Sequence, residues 1–339
     1  MAGKKTIRIG HKTVGAGHPV FIIAEAGVNH NRSLRLAKKL VDIAAKAGAD
    51  AVKFQTWNVD ALYASDEVTG NSYRSASKKR CLPYAAFVEI QKYCKKKGVI
   101  FISTPDEEAS ADFLSSLKVP AFKVGSGDLI NLPFLEYVAK KRKPVILSTG
   151  MGSDAQVAEA IREVSRHNKE LIILHCISSY PTPPSEAAMP RVTELRKRYG
   201  IMTGYSDHTL GSTAAILAVG EGAAVIEKHF TFDKKALGPD HCMSLSPSEL
   251  KGFVQVVREA EAMRLPKQKS RGEAATKKFA WKSAVARCGI QAGERLSLAN
   301  VVFKRPGLGV TVDQWKKIVG KRARRAISEG HFIKRNDIQ

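Results

Sequence analysis

Polar residues recur at the ends of short apolar runs in this sequence, and they are the ones that could do chemistry. Glu25 ends the first run, and Lys53 and Gln55 end the second. Ser103 and Thr104 follow, then Lys123, Ser126 and Asp128, then Ser148 and Thr149. His175, Ser178 and Ser179 come next, then Ser206, Asp207 and His208, and last Glu227, Lys228 and His229. A single serine in such a place is ordinary structure. Polar groups at the end of every run point to one shared site, because a buried polar group without a partner is costly. Two lysines and several hydroxyls suit an anion with several oxygens, a phosphate or a carboxylate. Gly125-Ser126-Gly127 and Ser148-Thr149-Gly150 would let backbone N–H groups approach such an anion, although either also reads as turn chemistry. His208 and His229 could share a divalent cation, or could equally be neutral, satisfied side chains.

The elements that must position these groups follow from the apolar pattern. The runs are Val20–Ala26, Ala51–Gln55, Val99–Thr104, Ala121–Val124, Val145–Thr149, Leu171–Ile177, Met202–Ser206 and Val225–Phe230. They are too short for helices and lack apolar/polar alternation, so they read as strands covered on both faces. Amphipathic stretches of helical length lie between them. Leu34–Ala47 stops at Gly48 and Phe87–Lys97 at Gly98, each a C-capping glycine. Ser153 with Gln156, and Ser246-Pro247-Ser248-Glu249, are capping boxes. Eight alternations over about 245 residues match a (β/α)8 barrel, with a doubly wound sheet as the alternative. Catalytic residues of such barrels sit at the C-terminal strand ends, where the polar residues fall.

The segment from Arg264 to Lys278 is polar and basic and reads as a linker. Beyond it, Ala284–Arg287, Gly293–Leu296, Val301–Lys304 and Phe332–Ile333 read as small β segments around one helix, Val312–Ile318. The expected division is a barrel over 1–263, a linker over 264–278 and a small β-rich domain over 279–339. The chain has 339 residues and a formal net charge of +23, which invites a nucleic-acid reading. Of that charge, +14 falls in the last 76 residues, so the barrel is only mildly basic. No run of about 20 apolar residues spans a bilayer, and Met1–Gly17 lacks the apolar core of an export signal. The five cysteines are odd in number and show no CxxC pair, so they read as reduced, buried thiols of a cytoplasmic protein.

Eight ordered motifs then become recognisable: IAEAGVNHN (Ile23–Asn31), VKFQT (Val52–Thr56), FISTP (Phe101–Pro105), KVGSGD (Lys123–Asp128), ILSTGM (Ile146–Met151), HCISSYPTP (His175–Pro183), GYSDHT (Gly204–Thr209) and EKHF (Glu227–Phe230). Together they resemble the sialic acid synthase family, which includes N-acetylneuraminate synthases and their legionaminate, pseudaminate and spore-coat relatives. FKRPGLG (Phe303–Gly309) resembles the antifreeze-like (SAF) domain of the same enzymes. The resemblance implies condensation of phosphoenolpyruvate with an N-acylated mannosamine-type sugar, giving a nine-carbon 2-keto acid and phosphate. N-acetylneuraminate is the first expected product. Legionaminate, pseudaminate and N-acetylneuraminate 9-phosphate are the alternatives.

The resemblance also assigns roles. Mn2+, or Mg2+ or Co2+, would sit on His208 and His229. Phosphoenolpyruvate would meet Lys53, Thr104, Lys123, Ser126, Ser148, Ser178 and Ser206. Glu25 would act on the attacking water. The sugar would meet Asn71, Tyr180, Asp240 and, from the partner subunit of a domain-swapped homodimer, Arg305. Arg32, Asp128 and Ser178 depart from residues common in the family. Two readings from other classes stand beside this one. A Schiff-base aldolase would use Lys53 or Lys123. A nucleic-acid-binding protein would use the basic tail, where aromatic residues for base stacking are sparse.

Overall fold

The computed structural model describes residues 5–64, 70–264 and 270–339, and the side chains of residues 70 and 71 lie outside that description. The chain divides into two compact units, Met1–Leu265 and Pro266–Gln339.

In the first unit a short antiparallel hairpin, β1 (Thr6–Ile9) and β2 (Lys12–Gly15), precedes eight parallel strands. These are β3 (Phe21–Gly27), β4 (Ala51–Thr56), β5 (Ile100–Pro105), β6 (Phe122–Val124), β7 (Val145–Ser148), β8 (Leu171–Cys176), β9 (Met202–Asp207) and β10 (Val225–His229). They close into a barrel in chain order, with β10 pairing back onto β3. The fold is therefore a (β/α)8 barrel, as the eight buried runs require.

Two layers of apolar side chains hold it. The outer one joins the outward faces of the strands to the helices, with Phe54, Phe87, Phe122, Val164, Tyr205 and Phe230 among its members. The inner one fills the barrel near the N-terminal strand ends with Phe21, Ile23, Ile102, Ile146, Ile172, Leu174 and Met202. Ile7, Ile9 and Val14 of the β1–β2 hairpin belong to this inner cluster, so the hairpin closes that end. Only the C-terminal end of the barrel interior is left for polar chemistry.

Local signals in the sequence are met at several helix ends. Leu34–Ala47 and Tyr84–Lys97 stop at Gly48 and Gly98, both in the left-handed region at φ 82° and 73°. Ser153 with Gln156, and Ser246 with Glu249, form reciprocal capping boxes. At both, a side-chain oxygen satisfies an N–H left open by the first helical turn.

The second unit carries β11 (Ser283–Ala286) paired antiparallel with β12 (Val301–Lys304), around Leu296, Val310, Ile318 and Ile333. Three expectations are corrected here. The linker read over 264–278 contains the start of a helix, Arg271–Ala280, capped by Ser270 onto the Glu273 N–H and with no buried residue. Alanines, a capping serine and basic residues in its last turn form that helix without an apolar face. The helix expected over Val312–Ile318 is a 3-10 turn, Val312–Lys317, too short to sustain α-helical bonding. Gly293–Leu296 and Phe332–Ile333 contribute only the single bridges Arg295 to Arg322 and Val285 to Phe332. All five cysteines are free; Cys94 and Cys176 are buried as expected, but Cys81 is half-buried and Cys242 and Cys288 are exposed.

Candidate active site

The alternation of side chains along each strand sorts the strand-end residues into two sets. On β10, Glu227 and His229 point into the barrel, and Lys228 points out, its Nζ 2.9 Å from Asp207 Oδ2 and over the Phe253 ring. Ser103 turns outward to Thr56 Oγ1, at 2.7 Å. His175 Nε2 lies 2.8 Å from the Ala187 carbonyl and its ring stacks on Tyr205. Ser103, His175, Asp207 and Lys228 therefore hold the wall of the barrel and do not line its interior.

The inward set forms a connected network. Lys53 Nζ donates to Glu25 Oε1 at 2.8 Å and to Thr104 Oγ1 at 3.1 Å. Lys123 Nζ donates to Ser148 Oγ at 2.6 Å and to the Val124 carbonyl at 3.0 Å. Glu227 lies between the two lysines, one carboxylate oxygen 3.8 Å from Lys53 and the other 3.8 Å from Lys123. Ser206 Oγ donates to Glu227 at 3.0 Å. Ser126 and Ser178 meet at Gly150. A Cβ on Gly150 would fall 2.4 Å from Ser178 Oγ, 2.8 Å from Ser126 Oγ and 3.2 Å from Cys176 Sγ. Only glycine leaves that cradle open. Of the seven residues expected at the phosphoenolpyruvate site, Lys53, Thr104, Lys123, Ser148 and Ser206 are joined through this network, and Ser126 and Ser178 come together at Gly150. In the sequence Glu227 is one of three consecutive polar residues of a strand, and its bridging role depends on a side-chain direction that spacing alone does not reveal.

Burial sets the charge states. Glu25 is fully enclosed, and burial pushes its carboxyl up to about 7, with Lys53 opposing and Glu227 adding to the rise. Burial acts in the same direction on Glu227, but Lys123 and Lys53 outweigh it and hold that carboxyl below the usual range. Burial lowers Lys123. Lys53 is also buried, yet Glu227 and Glu25 carry it above the ordinary lysine value. Glu25 Oε2 and Glu227 Oε2 have no hydrogen-bond partner among the described residues.

The histidine pair sits beside this network, the rings of His208 and His229 5.6 Å apart. His208 Nδ1 lies 2.8 Å from the Ile177 carbonyl, which assigns its proton to Nδ1 and leaves Nε2 open. His229 Nδ1 is buried without a hydrogen-bond partner and lies 4.0 Å from Asp240 Oδ2. Burial holds His229 well below the ordinary histidine value, so it is neutral. Burial also lowers His208, but Cys176 and the Ile177 carbonyl reverse the balance, and its proton is held more tightly than usual. A bound cation would displace that proton. Two imidazoles with open nitrogens and a nearby carboxylate are a donor set that fits a divalent transition ion.

Next to the histidines is a cavity of about 240 Å3, lined by Gln55, Trp57, Tyr63, Arg80, Asp106, Tyr180, His229 and Asp240. It brings in two of the expected sugar residues, Tyr180 and Asp240. The Tyr180 ring packs 4.0 Å from that of His208. Gln55, Arg80 and Asp106 are additional, the last with its carboxyl raised to about 7 by burial and the charge of Asp128. The side chain of Asn71 lies outside the described residues, and Arg305 belongs to the second unit, just after β12. Among the described residues no helix is long and apolar enough to cross a membrane.

A parallel barrel closed at one end and polar at the other is the frame of a (β/α)8 barrel enzyme with a single working face. Comparison with known proteins makes the assignment particular: residues 40–269 match the NeuB family and residues 282–339 the SAF domain, and the chain belongs to that family, the sialic acid synthases. It is 38% identical over 338 residues to the N,N'-diacetyllegionaminic acid synthase of Legionella pneumophila, covering 95% of each chain. It is 37% identical over 303 residues to the N-acetylneuraminate-9-phosphate synthase of Mus musculus, covering 86% of this chain and 84% of the relative. The crystal structure of a Bacillus subtilis spore coat polysaccharide biosynthesis protein superposes with a TM-score of 0.70 at 36% identity, over 98% of this chain and 99% of that one.

Proposed function

We propose that the protein condenses phosphoenolpyruvate with the open-chain form of an N-acylated mannosamine-type sugar, releasing phosphate and forming a nine-carbon 2-keto acid. The network of Lys53, Lys123 and the serines at the C-terminal strand ends carries this reading, since two buried lysines with neighbouring hydroxyls suit a carboxylate and a phosphate. N-acetylneuraminate is the product we put first, with legionaminate, pseudaminate and N-acetylneuraminate 9-phosphate as the alternatives. The relatives include synthases of both N,N'-diacetyllegionaminic acid and N-acetylneuraminate 9-phosphate.

The chain's own groups supply most of the chemistry. Lys53 and Lys123 offset the negative charge of substrate and transition state in a site too dry to screen it. The C3 carbon of phosphoenolpyruvate forms the new bond to the sugar aldehyde carbon as the C=O π bond opens, its oxygen takes up a proton to become the new hydroxyl, and C2 then takes up water. Glu25 holds and deprotonates that water, a task suited to a carboxyl titrating near 7. The bond from C2 to the phosphate oxygen breaks, phosphate leaves, and the C2 carbonyl of the keto acid forms. His208 and His229 would hold Mn2+ or a related ion, with Asp240 close by. Such an ion supplies Lewis-acid polarisation of a carbonyl oxygen.

A phosphate-release assay with phosphoenolpyruvate, Mn2+ and a panel of acceptors tests the reading. The panel holds N-acetylmannosamine, its 6-phosphate, and the 2,4-diacetamido-trideoxy mannose and altrose sugars. Release with one member alone is expected, and release with none would overturn the assignment. Borohydride trapping of a pyruvate adduct, with no need for a metal, would favour the Schiff-base alternative.

We propose further that a homodimer places the SAF domain of one subunit over the barrel of the other. Support comes from four exposed apolar residues in the loops that follow β6, β7, β9 and β10: Ile130 at 64% exposure, Met151 at 74%, Leu210 at 62% and Leu237 at 91%. Patches of this kind mark interaction surfaces. Replacing Arg305 with alanine is then expected to raise KM for the sugar about tenfold or more, while KM for phosphoenolpyruvate and kcat stay close to wild type. Unchanged sugar kinetics would refute a contact from Arg305. Phosphoenolpyruvate is an intermediate of central metabolism, and we place the protein in the cytoplasm.

A further inference from the structure

A second cavity of the barrel unit lies away from its working face. About 960 Å3 of open space lies at the opposite end, against the N-terminal ends of the neighbouring strands β3, β9 and β10. Its walls are the end of the β1–β2 hairpin, the turns before β9 and β10, and the last turns of the helix Pro247–Met263. That volume is at the upper end of what small-molecule sites enclose.

Its charges are unbalanced. Lys5, Lys12, Arg196, Arg258 and Arg264 line it against only Asp50 and Glu261. Those two carboxylates are already engaged. Asp50 takes Lys12 at 3.2 Å and Arg258 at 2.6 Å, and Glu261 takes Arg258 at 2.9 Å. Lys5, Arg196 and Arg264 have no carboxylate partner among the described residues. Arg196 donates only to the Gly222 carbonyl, at 3.4 Å, and its guanidinium lies over Gly222, where a Cβ would fall 2.0 Å from Nη1. Ile201, Met202 and Ala223 give the same cavity an apolar side.

We propose that this cavity binds an organic polyanion, a small molecule with a phosphate or paired-carboxylate end and an apolar or ring-bearing body. Arg196 and Arg264, with Lys5, receive the anionic end. The half-buried Arg258 is held by Asp50, Glu261 and the Val20 carbonyl, 2.5 Å away, so its charge is already matched and it serves as a fixed wall of the cavity. A dianion against guanidinium groups gains charge-assisted, two-pronged hydrogen bonds that a chloride ion cannot make. The cavity is separate from the mouth, because the inner apolar cluster fills the barrel between them.

The test is calorimetric titration of the full chain at 0.15 M salt, using inorganic pyrophosphate and ADP as probes, with phosphoenolpyruvate added to saturate the mouth. Both probes are expected to bind. The double variant Arg196→Glu with Arg264→Glu is expected to weaken both at least tenfold and to leave phosphate release in the condensation assay unchanged. ADP is expected to bind at least tenfold tighter than pyrophosphate through the apolar side. Absence of binding, or binding that the double variant does not alter, would overturn the site. Equal affinity for the two probes would overturn the organic body of the ligand. A failed condensation assay with intact, variant-sensitive ADP binding would count against the proposed reaction and leave this cavity's assignment standing.

Discussion

Glu25→Gln is expected to lower kcat by about 10²–10⁴-fold, the range that a positioned general base contributes. Glutamine keeps the shape and can still accept from Lys53, so phosphoenolpyruvate binding should change little. The pH profile separates this role from simple packing. A base must be ionised to work, and the Glu25 carboxyl titrates at about 7. Wild-type kcat/KM should therefore rise tenfold per pH unit below 7 and level off above it, and the variant should lose that acid limb. Stability should move the other way. The Glu25 carboxyl has its folded value raised above the ordinary 4.5, so the native state holds the proton more tightly than the unfolded chain. Its contribution to stability is then greatest below about 4.5 and is lost as pH rises toward 7. At pH 8, Glu25→Gln should melt no lower than the wild type. A variant that is both inactive and markedly less stable at pH 8 would make Glu25 a structural residue.

His229→Ala is expected to abolish metal-dependent turnover. Equilibrium dialysis should show Mn2+ affinity falling by more than about 100-fold, beyond what loss of an outer-shell partner does. The buried, unpartnered Nδ1 of His229 is the basis. In the wild type, EDTA should remove activity and Mn2+ should restore it. In the variant, added metal should restore nothing. Full metal binding by His229→Ala would remove this histidine from the donor set. Activity that survives EDTA in the wild type would remove the metal from the reaction.

Much of the barrel was legible because burial on both faces leaves an unmistakable residue pattern. Leu171–Ile177 or Val145–Thr149 can hardly be other than strands between two apolar layers. The capping residues Ser153 and Ser246 fixed helix starts for an equally local reason. The direction of each strand-end side chain was harder to read. Nothing in Glu227-Lys228-His229 says which residues of the three face inward, and a shift of one residue exchanges the sets. Four strand-end residues, Ser103, His175, Asp207 and Lys228, were for this reason read with the mouth and belong to the wall. The hairpin of Thr6–Gly15 went unread because its strands are four residues each and mix Ile with Lys and Arg. Arg80 and Asp106 join the site through loops, where neither periodicity nor spacing predicts proximity.

The two lysines and two glutamates of the mouth have one further consequence. At rest Glu25 and Glu227 serve Lys53 and Lys123 as built-in counter-ions, at 2.8 and 3.8 Å. Seating a substrate anion is therefore an exchange of partners. In the proposed condensation the arriving carboxylate and phosphate would take over the lysines, and Glu25 would be freed to bind the attacking water. Under the proposed reaction, substrate binding and activation of the base would be one event, since without substrate Glu25 stays paired with Lys53.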